Sequence, residues 1–171
     1  MEVPANEPQQ AGSASGPVDV EAMRSEMTID PPLQDMYDKL ILNGRRIMFD
    51  QETFGETSKY MSGPEPLDQK IADGIVAVVV MLHDKTNKGM HPRLIVPVTL
   101  GLTLDAFEFI QRAGDPAATK QVLGEAVAMA TTNVMEKFGV PQDQLAKLVE
   151  QNRAAVDGGQ PPEQPGILGA A

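Results

Sequence analysis

The stretch GIVAVVVMLHDKTNKGMHPRLIVPVTLGL, residues 74–102, decides the fold, because two apolar runs flank a basic, turn-rich connector. Read as a membrane element, a β-hairpin or two helices of a soluble bundle, it makes three different proteins. Over residues 96–104, apolar side chains alternate with Pro97, Thr99, Gly101 and Thr103, which is strand-like. A longer window reverses that reading. Pro97, Gly101, Asp105, Glu108 and Arg112 form a polar or small stripe at helical spacing, opposite Val96, Leu100, Leu104, Phe107 and Ile110. A strand cannot carry that pattern so far, and an interior proline disfavours a central strand. A helix with Pro97 in its first turn is therefore expected. The same test on residues 67–83 leaves a narrow stripe of Lys70, Asp73, Gly74 and Ala77 on an otherwise apolar cylinder. The alternative is a β-hairpin over 74–104, since the valine run favours strands.

Outward from that stretch, helix signals recur. Asp30 is placed to cap a helix with Pro31 and Pro32 in its first turn. Leu33, Met36, Tyr37, Leu40, Ile41, Ile47 and Met48 follow as one buried face, interrupted by Gly44. A short amphipathic piece, QETFGETSKYM (51–61), precedes the reset at SGPEPL. Further on, Asp115 and Pro116 read as cap and first turn of a helix. Its buried face is Val122, Leu123, Ala126, Ala130, Val134 and Phe138, and Gly139 stands at its C-terminal cap. Pro141 opens a shorter helix carrying Leu145, Leu148 and Val149. The fold class expected is mainly α, a small bundle of about five helices with disordered N- and C-terminal tails. Residues 1–30 read as a disordered acidic arm, 31–155 as the helical core and 156–171 as a disordered Gln/Pro/Gly tail.

Composition narrows the function. The 171 residues suit one domain with a modest core. Aromatics are 4% with no Trp, so the core must be aliphatic, with ten methionines to fill irregular gaps. A net charge of −10 opposes broad nucleic-acid binding, which needs Lys and Arg to displace counterions. No cysteine is present, which excludes disulfides and thiolate metal sites. The first residues lack the basic and apolar regions of a secretory signal. The apolar cores 75–82 and 94–104 span 8 and 11 residues, short of the roughly 30 Å hydrocarbon thickness at about 1.5 Å per residue. An ordinary single-span anchor is not expected.

Candidate sites are few. His83, Asp84 and His91 lack a third ligand on a fixed scaffold, so exposed loop residues are the plainer reading. No Ser or Cys nucleophile stands at motif spacing from either histidine. Asp105 and Glu108, one turn apart with Arg112 beyond, read as a solvated helix face with an ordinary ion pair. No phosphate-cradling loop occurs, and no cofactor is expected. The connector is more informative: Lys85, Lys88 and Arg93 oppose only Asp84 in an otherwise acidic chain. It is either a solvated turn or a basic tip suited to acidic headgroups, between runs apolar enough to insert.

The layout resembles the small internal DNA-ejection proteins of short-tailed bacteriophages. It has an acidic arm, a compact Met-rich helical core and a tail ending QPPEQPGILGAA. The stretches HPRLIVPVTLGLTLDAFEFIQRAGD and VMEKFGVPQDQL share that character. The resemblance implies a non-enzymatic protein packaged inside the virion. Such proteins leave through the tail and assemble a channel across the host envelope. Its partners would be copies of itself, other virion proteins and the host membrane, without sequence-specific nucleic-acid recognition. Ile75, Val76, Val78, Val79, Leu82, Leu94, Val98, Leu100, Leu102, Leu104 and Phe107 would form the membrane or oligomer interface. The same features suit a soluble helical adaptor of a virion or other large assembly, with no membrane step.

Overall fold

The computed structural model describes residues 18–50 and 63–139. They form α1 (Val20–Glu26), a 3-10 turn (Pro31–Leu33), α2 (Gln34–Phe49), α3 (Leu67–Lys85), α4 (Pro92–Arg112) and α5 (Lys120–Lys137). Among the described residues there is no strand, so the β-hairpin alternative over 74–104 is overturned. The expected piece at 51–61, the helix from Pro141 and the tail 156–171 lie outside the described residues.

The valine run is helical because burial outweighs intrinsic strand preference. In α3, Ile71, Ala72, Ile75, Val78, Val79 and Leu82 are all buried, at the 3 and 4 spacing of one broad face. That face makes its largest contact with α5, where Leu123, Ala126, Val127, Ala130 and Val134 return the same spacing. Alanine at 126 and 130 lets the two backbones approach closely.

α4 is the centre of the molecule. It packs against α1, α2, α3 and α5, and it is buried almost all round. Its two buried hydroxyls bond back to their own helix: Thr99 Oγ1 donates to the Ile95 carbonyl at 2.7 Å and Thr103 Oγ1 to the Thr99 carbonyl at 2.8 Å. α4 starts earlier than its sequence pattern suggests. His91 caps it, its Nδ1 accepting from the Arg93 N–H at 3.3 Å, and Pro92 takes the first position. Pro97 is thus inside the helix rather than in its first turn, and it leaves the Arg93 carbonyl without the usual i+4 donor.

Two more caps differ from expectation. Asp30 makes no side-chain cap; Pro31–Leu33 form the 3-10 turn instead, and the Asp30 carboxylate binds Arg93 at 3.1 Å. Asp115 accepts from the Ala117 N–H at 2.9 Å in a local turn, and Thr119 caps α5 by accepting from the Val122 N–H at 3.3 Å. Asp and Thr both serve as caps, and the turn at Pro116 moves the cap four residues on, from Asp115 to Thr119. Gly139 is left-handed (φ +71°) just past α5, as its position implies.

The crossing of α2 over α4 is set by two glycines. A Cβ on Gly44 would lie 2.6 Å from Leu102 Cδ2, and one on Gly101 would lie 2.7 Å from the Tyr37 hydroxyl oxygen. A side chain at either position would force Leu102, or Tyr37 and Ile41, to shift. Leu40, Ile41, Ile47 and Met48 are buried, whereas Met36, expected on the same face, is exposed.

Composition misleads in the N-terminal arm. Val20–Glu26, within the segment expected to be disordered, is a helix capped by Asp19, which accepts from the Ala22 N–H at 2.9 Å. Val20 is only 4% exposed, and Met23 and Met27 are partly buried against the core.

Candidate functional site

The residues expected to meet a membrane or a second copy sit in the core. Ile75, Val78, Val79, Leu82, Leu94, Val98, Leu102, Leu104 and Phe107 are buried, and Val76 and Leu100 are half-buried against them. α4 is 21 residues long and apolar enough to cross a bilayer by length and composition, and most of it is buried within the bundle. The 11-residue apolar core understated its length because the helix continues from Pro92 to Arg112.

The connector is compact. Asn87 and Lys88 adopt left-handed backbone (φ +51° and +60°), and the Lys88 N–H donates to the His83 carbonyl at 2.9 Å. Lys85 and Lys88 are exposed, and Arg93 is occupied by Asp30. The histidines are not loop residues. His83 belongs to the last turn of α3, half-buried and edge-on to Phe138 with ring centroids 4.6 Å apart. His91 is the α4 cap. Beside the connector, an open groove of about 410 Å³ between α2 and α3 is lined by Arg46, Asp50, Lys85 and Thr86 among others. Among the described residues no three metal-ligating side chains converge.

Among the described residues, the polar stripe of α4 holds the most organised chemistry, and at Asp105 it is buried rather than solvated. Asp105 is 7% exposed and receives two guanidinium groups. Arg45 of α2 donates through Nε at 2.7 Å and Nη2 at 2.8 Å; Arg24 of α1 donates through Nη2 at 2.5 Å. Arg24 also binds Glu108 at 2.7 Å and Glu21 at 3.0 Å, and Arg112 closes the row on Glu108. The pairing of Arg112 with Glu108 was legible in the sequence; the two arginines on Asp105 were not. They come from 81 and 60 residues away. The one available hint was that Arg24 is the sole Lys or Arg in the first 30 residues.

Electrostatics follow the geometry. The Arg24 hydrogen bond holds the Glu108 carboxyl below its ordinary range. Burial, then the charge of Asp105, pushes the Tyr37 phenol up. Burial works against the charge on Arg24, but its bond to Glu108 and the Asp105 charge raise it further overall. The arrangement neutralises a buried carboxylate and ties three helices together. It offers a clamp, with every charge answered by another side chain.

Among the described residues, Met36, Leu42, Phe49 and Phe109 are the exposed large apolar side chains. Phe49 of α2 and Phe109 of α4 are exposed and stack at 5.2 Å with their planes tilted by 43°. No protein-family model, curated protein or solved structure matches the chain.

Proposed function

We propose that the protein is a non-enzymatic helical subunit of a larger particle, a virion by the resemblance in layout, acting as a soluble adaptor. The burial of the α3–α4 hairpin carries this reading. The side chains that an inserting hairpin would give to lipid instead fill the space between α3, α4 and α5. The Phe49–Phe109 pair and the acidic exterior are then the surfaces open to neighbouring subunits. A second reading, insertion during genome delivery, draws on α4, which has spanning length and carries its buried hydroxyls already bonded to its own backbone. Insertion would require the bundle to open.

Flotation of the purified full-length chain with liposomes, with and without acidic lipids, separates the two. The adaptor reading expects a folded species that stays with the soluble fraction. Co-flotation, with loss of the native near-ultraviolet signal, would replace it with the insertion reading.

A further inference from the structure

α1 is a seven-residue helix, too short to persist by itself in water. It lies along one stripe of α4, formed by Asp105, Glu108 and Gln111. With its amide turned so that oxygen and nitrogen exchange places, Gln111 accepts from the Val18 N–H at 2.7 Å and donates to the Val18 carbonyl at 3.3 Å. Arg24 reaches Asp105 and Glu108 six residues on, so α1 runs antiparallel to α4. Only Val20 is fully buried in this contact.

Asp105 is the decisive group. A buried carboxylate stripped of its cation is strongly destabilising. Here, however, Arg45 alone supplies two bonds to both carboxylate oxygens. If α1 leaves, Asp105 keeps its charge answered and the rest of the core keeps its packing. What is lost is one buried valine, the partly buried Val18, Met23 and Met27, and the Arg24 ion pairs to Glu108 and Asp105, whose side chains are 23%, 22% and 6% exposed. The Arg24–Glu108 pair is the one open to screening by salt; the Arg24–Asp105 pair is more shielded.

We propose that α1 is a releasable strap: the segment 18–27 leaves α4 while α2–α5 stay folded, and the Arg24 ion pairs set how often it does so. Release bares the Asp105–Glu108–Gln111 stripe of α4, where Arg45 still answers Asp105 and Arg112 still answers Glu108. The strap is thus a local opening unit, distinct from global unfolding.

The absence of cysteine makes the test direct. Val20→Cys reports strap opening through its rate of thiol labelling at fixed pH; Val78→Cys, in the core, reports global opening. Raising salt to about 1 M, where the Debye length falls to about 3 Å, should speed labelling at position 20 by about tenfold and leave position 78 little changed. Adding Arg24→Ala to Val20→Cys should reproduce that acceleration at low salt and abolish the salt response. Equal rates and equal salt responses at the two positions would overturn the strap, since α1 would then open only with the whole bundle. Should Val20→Cys fail to fold, hydrogen exchange of the unaltered chain, comparing amides of 20–26 with those of 94–104, reads the same difference.

Discussion

Phe107 and Asp105 stand two residues apart on α4, both shut away from water, and they are held by opposite means. Phe107 is surrounded by an aliphatic cluster whose attraction has no direction and needs no particular partner. Asp105 is held by two guanidinium groups at defined oxygens, and one shift of a helix would break the arrangement. The first kind of contact supplies most of the stability. The second fixes how α1 and α2 sit on α4, and it responds to salt.

The contrast can be broken from the Phe107 side. Phe107→Ala should destabilise the bundle by about 3–5 kcal/mol, a cavity effect that salt leaves unchanged, read from urea unfolding by circular dichroism. On the other side, Asp105→Ala should lose about 2 kcal/mol, since charged hydrogen bonds disappear and both arginines turn outward. That loss should shrink at high salt; a loss as large and as salt-independent as that of Phe107→Ala would erase the distinction.

Acid sharpens the same comparison. Glu108 is held below its ordinary value of 4.5, chiefly by Arg24. A lowered folded value means its stabilisation is complete above the unfolded range and disappears as pH falls through the folded one. Stability measured from pH 6 down to about 3 should therefore drop less in Arg24→Ala than in the unaltered chain.

Much of this architecture was legible in the sequence, and the missing parts share a cause. Spacing revealed the faces of α2, α3 and α5, because periodicity reports which side of one helix is apolar. It read Asp105 as solvent-facing, because a polar residue in a stripe does not disclose what lies opposite. Arg24 and Arg45 come from distant parts of the chain, and only packing brings them there. α1 was hidden differently. Averaged over thirty residues the arm is polar, yet Val20, Met23 and Met27 repeat at helical spacing behind the cap Asp19. A window of about eight residues, from Val20 to Met27, carries the pattern.

Two smaller effects complete the series. Gly44→Ala should destabilise by about 1 kcal/mol, the overpacking against Leu102 exceeding the gain in helix propensity. Its unfolding midpoint should fall without a change in slope. Lys88→Gly, at φ +60°, should instead stabilise by up to about 1 kcal/mol by removing left-handed strain, visible as a raised midpoint.

The two threonines of α4 bear on where that helix can go. Because Thr99 and Thr103 give their protons to carbonyls one turn back, neither asks anything of the helix beside it. α4 therefore carries its own solvation for these groups, and it can rotate, slide or change partners without stranding a hydroxyl.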